Sequence, residues 1–156
     1  MGHHITALVA KLPIDEAAAA DYDLPVFKEN GFAIVALNPS HSDYWTEKLD
    51  CPGVGSTQII LDCGVTHLFA KALFGDRPYA IISTDYLGGN GDQRAAVYEG
   101  DVVVLEKTSK APGAINKALK RIGVKRGWFS DEFTALNLNQ YRDFYHLFEK
   151  YNPADE

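Results

Sequence analysis

The stretch that most constrains the fold is RPYAIISTDYLGGNGDQRAAVYEGDVVVLEK, residues 77–107. It holds three β-rich runs, at 79–84, 95–98 and 102–105, and the last carries three consecutive valines. β-branched side chains lose rotamer freedom in a helix and pack well on a pleated surface. Two segments rich in turn residues separate the runs: 85–94, with Gly88, Gly89, Asn90 and Gly91, and Glu99-Gly100-Asp101. Connections this short join antiparallel neighbours, so a three-stranded meander over 79–106 is expected.

The flanks supply helices to cover such a sheet. Residues 4–10 predict a strand with Ile5 and Leu8 in the core. Pro13, Asp15, Glu16 and four alanines open a helix that ends before Leu24-Pro25. Lys28-Glu29-Asn30-Gly31 is a turn, and the continuous apolar run 32–37 suits a strand buried on both faces. Ser40 or Ser42 can cap a helix reaching Lys48. Residues 57–74 predict a helix stopped by Gly75, with a strand over 57–61 as the alternative for its first part. Ile115, Ala118, Leu119 and Ile122 share one helical face, opposite Lys117, Lys120 and Arg121, and Gly123 ends that helix. Ser130 is the expected cap of a helix over 131–136. Residues 140–151 are expected to form a last helix with an aromatic side. The fold class is therefore α+β: one domain, 1–156, with a mainly antiparallel sheet under helices.

Composition removes several function classes. A net charge of −6 argues against general affinity for nucleic acid or anionic membrane. There is neither a run of about 18 apolar residues nor a signal-peptide pattern, so a cytoplasmic protein is expected. Cys51 and Cys63 are the only cysteines and are expected to be free thiols. No HxxxH, HExxH or CxxC spacing is present, so neither a metal nor any other cofactor is expected. Cys63 and His67 would share a helical face, but no third group orients them for nucleophilic catalysis.

The segment TDYLGGNGDQRAAVYEG, followed by INKALKRIGV, DEF and LNLNQYRD, resembles a set of small uncharacterised bacterial proteins. Their shared core is TDY-x-GG-x-G-x-Q-x-A, and the likeness covers residues 79–142. It implies that the arrangement is reused as a unit, and it assigns no activity or residue role. By analogy, small bacterial α+β proteins of this kind serve as immunity or partner proteins in toxin systems.

The sharpest candidate site is the glycine-rich loop 85–94. Its glycines let backbone amides approach a ligand, with Asp85, Tyr86, Gly88, Gly89, Gly91, Gln93 and Arg94 as the ligand-binding set. It leads into a strand instead of a helix, and it lacks both the P-loop ending and the dinucleotide spacing. The competing reading is a wide hairpin in which Asp85 and Gln93 brace the turn. A basic cluster, 107–126 followed by Gly127-Trp128-Phe129, is most simply the solvated face of a helix. The leading function is thus a non-enzymatic bacterial protein–protein interaction module, an immunity protein being a special case. The alternative is a small-ligand binder or enzyme using the 85–94 loop. No catalytic residue is assigned, and the sequence fixes neither the partner nor the oligomeric state.

Overall fold

The computed structural model describes residues 2–51, 64–87, 90–100, 102–110, 113–128 and 130–151. A seven-stranded, wholly antiparallel sheet forms its middle layer: β1 Gly2–His3, β2 Thr6–Lys11, β3 Val26–Glu29, β4 Phe32–Ala36, β5 Tyr79–Leu87, β6 Asn90–Glu99 and β7 Val102–Ser109. The order is β3-β4-β2-β5-β6-β7, with β1 continuing beside β5 in the register set by β2. The α+β class and the meander hold, with β5, β6 and β7 pairing as neighbours.

Both faces of the sheet are covered. Successive strand residues point to opposite faces, so Ala7 and Val9 enter one core while Leu8 and Ala10 enter the other. β4 is buried at every position, as its unbroken apolar run requires. Helices α1 Glu16–Asp21, α2 Pro39–Lys48 and α3 Gly64–Phe74 pack on the Leu8 face through Ala19, Trp45, Val65, Phe69 and Leu73. Helices α4 Gly113–Arg121 and α5 Glu132–Ala135 lie on the Val9 face with 3₁₀ turns Leu138–Gln140 and Tyr145–Tyr151. The α4 stripe of Ile115, Ala118, Leu119 and Ile122 is buried as its spacing predicts. Among the described residues no helix is long and apolar enough to cross a membrane.

Several local expectations are corrected. Residues Val26–Glu29 form an edge strand, turned back on β4 by Asn30 and Gly31, both at positive φ. Asn-Gly flanked by β-formers is a strong hairpin signal, and it marks this pair in the sequence. The cap of α2 is Asn38, whose Oδ1 accepts from the amides of Ser40 and His41; neither Ser40 nor Ser42 takes that role. Asp131, not Ser130, caps α5 by accepting from Thr134 N. Residues 140–151 do not form one α-helix. The chain is extended around Asp143, which bridges to His4, and only then turns into 3₁₀ geometry. The helix expected over 57–74 is seen as Gly64–Phe74, and 57–63 lie outside the described residues.

Candidate functional site

The glycine-rich segment is mostly strand. β5 runs on to Leu87 and β6 begins at Asn90, leaving Gly88 and Gly89, outside the described residues, as the connection. The expected wide loop is thus a narrow hairpin end. Its register sets Ser83 opposite Arg94, Thr84 opposite Gln93, Asp85 opposite Asp92 and Tyr86 opposite Gly91. The ladder continues because the backbones of 83–87 and 90–94 pair with one another, which offsets their polar composition.

That register splits the predicted set between the two faces of the sheet. Asp85 and Arg94 share one face with Ser83 and Asp92, around a depression of only about 50 Å³. Gln93 points to the other face and is 3% exposed. Its Oε1 accepts the amide of Ile115 at 3.3 Å, in the first turn of α4. It therefore braces a helix, whereas the sequence suggested a turn. Tyr86 donates its hydroxyl to the Lys110 carbonyl at 2.8 Å, and burial, then the charge of Asp92, push its pKa up. Gly91 is required for close approach: a Cβ there would lie 1.8 Å from the Asp85 carbonyl oxygen.

Asp85 is 77% exposed in its side chain and meets His4, with Nδ1 3.0 Å from Oδ1. His4 lies opposite Asp85 in the shared register of β1 and β2. Like charges set opposite each other, as in Asp85 and Asp92, oppose pairing, and the imidazole beside Asp85 relieves that repulsion when protonated. A cleft of about 240 Å³ opens beside this pair, between Thr6, Asn38, Ser83 and Tyr145. A serine, a histidine and an aspartate line it, and His4 Nδ1 meets Asp85, but among the described residues no hydrogen bond joins His4 to Ser83, whose Oγ accepts from Thr6 at 3.5 Å. Activation of a serine would need the imidazole on its hydroxyl.

His3 points away from His4, as neighbours in a strand do. Its Nδ1 contacts Thr84 Oγ1 at 2.7 Å and its Nε2 the Leu138 carbonyl at 3.0 Å. Burial, opposed by that carbonyl contact, holds its pKa below the ordinary value. Cys63 lies outside the described residues, so the Cys63–His67 pair does too. His67 itself hydrogen-bonds the Tyr79 hydroxyl and stacks edge-on against Tyr98. Cys51 is a free thiol. Among the described residues no group of His, Cys, Asp or Glu is arranged to hold a metal ion.

A larger concavity than either of the two at the hairpin lies in the basic segment. After α4, residues 123–127 return alongside the helix, and the open groove between them measures about 740 Å³. Lys117 and Lys120 rise from the helix side, Lys125 and Arg126 from the returning strap, with Asn116 and Glu132 also in the lining. Arg126 Nε is 3.5 Å from Oε2 of Glu132, whose side chain is nearly buried. Asn116 ties the groove wall together: its Nδ2 donates to Asp131 Oδ2 at 3.0 Å and its Oδ1 accepts from Phe133 N at 2.8 Å. Burial would raise the Asp131 pKa, but hydrogen bonds from Thr134 and Asn116 outweigh it and hold the carboxyl low. Trp128, the next residue of the strap, is 96% exposed.

The sequence shows this cluster but not its shape. Seven Lys and Arg and no Asp or Glu fall within 107–126. Amphipathic periodicity accounts for Lys117, Lys120 and Arg121 as a solvated helix face. It says nothing of a strap that folds back to put Lys125 and Arg126 across from them. No protein-family model, no curated protein and no solved structure matches this chain.

Proposed function

We propose that this protein is a non-enzymatic binding protein that works by contact with another protein. The observation that carries this reading is Trp128, an indole 96% exposed and two residues along the chain from Arg126 in the lining of a basic groove. Trp and Arg dominate the energetics of protein interfaces because a large rigid side chain buries much area at low entropic cost. At 96% exposure the indole buries almost no area within this chain, so nearly all of its surface is open to a partner. Support also comes from the narrow hairpin at 85–94, whose side chains divide between two faces instead of converging.

The experiment replaces Trp128 with a photo-crosslinking amino acid and recovers adducts from cells that express the protein naturally. One discrete protein adduct, lost in competition with unlabelled protein but not with a Trp128→Ala variant, is the expected result. Absence of any protein adduct, both at position 128 and with crosslinkers placed on the other faces of the protein, would defeat the reading. Neutralisation of a toxin is a special case: a toxin gene adjoining this one would be lethal when expressed alone and harmless when co-expressed.

One observation favours a second reading, small-ligand binding at the end of the β5–β6 hairpin. The cleft beside His4 and Asp85 has hydroxyl, amide and carboxylate groups on its walls. At about 240 Å³ it lies just below the range of roughly 300–1,000 Å³ usual for ligand pockets. A metabolite that stabilises the wild type but not Asp85→Ala would favour this reading over the first.

A further inference from the structure

We infer that the groove between α4 and the 123–127 strap receives an acidic polypeptide segment. Its carboxylates would lie against Lys117, Lys120 and Lys125, with Trp128 covering an apolar part of the same segment. The inference rests on the protein-contact reading above and adds to it the chemistry of the partner.

Charge is the first argument. Segment 107–126 holds seven cations and no anion, whereas the rest of the chain holds eight cations and twenty-one anions. Four of those seven cations, Lys117, Lys120, Lys125 and Arg126, line one concave surface, where field lines focus and steer an anionic partner. Among the described residues, no ion pair engages Lys117, Lys120 or Lys125. Arg126 is committed to Glu132, which neutralises the one carboxylate among the described lining residues. The lysines therefore form an unpaired set facing a preformed space.

Shape is the second argument. The α4 wall is held to α5 through the Asn116 bridges, so the groove needs no ordering before it is filled. A volume of about 740 Å³ takes several side chains and far exceeds a single inorganic anion. The basic surface is also bounded: Arg121 pairs with Glu99 at one margin and Asp131 stands at another. A nucleic acid continuing beyond the groove would run onto acidic surface, whereas a short Asp- or Glu-rich segment ends where the lysines end.

The test uses the full chain with a short fluorescent Glu-rich peptide, its Gln counterpart, and an oligothymidylate of equal charge. Anisotropy reports binding. Saturable binding of the Glu peptide, weakened by added salt and roughly tenfold or more weaker in Lys117→Glu/Lys120→Glu/Lys125→Glu, is expected. The triple Lys→Gln variant repeats the comparison without introducing repulsion and decides the matter if the charge-reversed chain misfolds. Three results would overturn the inference: no binding of the Glu peptide, equal binding by both triple variants and wild type, or tighter binding of the oligothymidylate. A natural protein partner crosslinked at another face would also overturn it while leaving the protein-contact reading intact.

Discussion

Gln93 and Ile115 are joined across two elements: the Gln93 Oε1, on a central strand, accepts the backbone amide of Ile115 at the start of α4. A helix start leaves its first amides without internal partners, and burial denies them water. The side chain of a strand residue therefore caps a helix that begins twenty residues later in the sequence.

The contrast between Gln93 and Asp85 gives the first prediction. Gln93→Ala strands the Ile115 amide in the core and should lower stability by about 1–3 kcal/mol. Asp85→Ala removes only a solvent-exposed contact with His4 and eases the opposition to Asp92, so its change should stay within about 0.5 kcal/mol. Urea denaturation of the two variants measures both. Equal losses would show that Gln93 does no more than Asp85.

Gly91 sits at φ +155, and a Cβ there would meet the Asp85 backbone, whereas Gly31 at φ +84 has open space around it. Gly91→Ala should therefore cost more than about 3 kcal/mol or shift the hairpin register. Gly31→Ala should cost only about 1 kcal/mol, from its left-handed backbone. Thermal melting separates the two, and a Gly91→Ala chain that melts like wild type would contradict the register of β5 and β6.

Stability should fall on mild acidification. Burial, partly offset by the Tyr22 carbonyl and by Asp23, holds the His41 pKa below its ordinary 6.5. The unfolded chain then takes up a proton that the folded chain refuses, so stability is lost as pH falls below about 6.5. His3, depressed by burial, acts in the same direction. Asp23 is held below its ordinary 3.8 by hydrogen bonds with Lys150 and then Tyr151, so a second loss begins near about pH 4. Denaturant midpoints measured from neutral to acid pH should show both steps. His41→Phe should remove part of the first step and leave the second.

The two tryptophans should report separately. Trp45 is 9% exposed between α2 and α3, while Trp128 is 96% exposed. Iodide should quench one emitting population and spare the other, and Trp128→Phe should abolish the quenchable one without moving the melting temperature. A single quenching constant in the wild type would mean that Trp128 is covered.

The parts of this architecture legible in the sequence are those whose local pattern and burial agree. The apolar run of β4, the stripe of α4 and the valines of β7 each state their element within a few residues, because side-chain periodicity alone selects helix or strand. The candidate site was legible only as composition. Asp85, Gln93 and Arg94 are polar residues flanking glycines, a pattern that belongs to a loop until a partner strand pairs with them. The ladder between 83–87 and 90–94 supplies that partner, since backbone pairing between strands does not depend on which side chains they carry. The same holds for the aromatic C-terminus, where bridging to His4 outweighs helix periodicity. Only the tertiary structure folds residues 123–127 back against α4, which turns a charged helix face into a groove with lysines on both walls. Local propensity depends on neighbours a few residues away, but concavity depends on the path of the chain between elements, which no short pattern specifies.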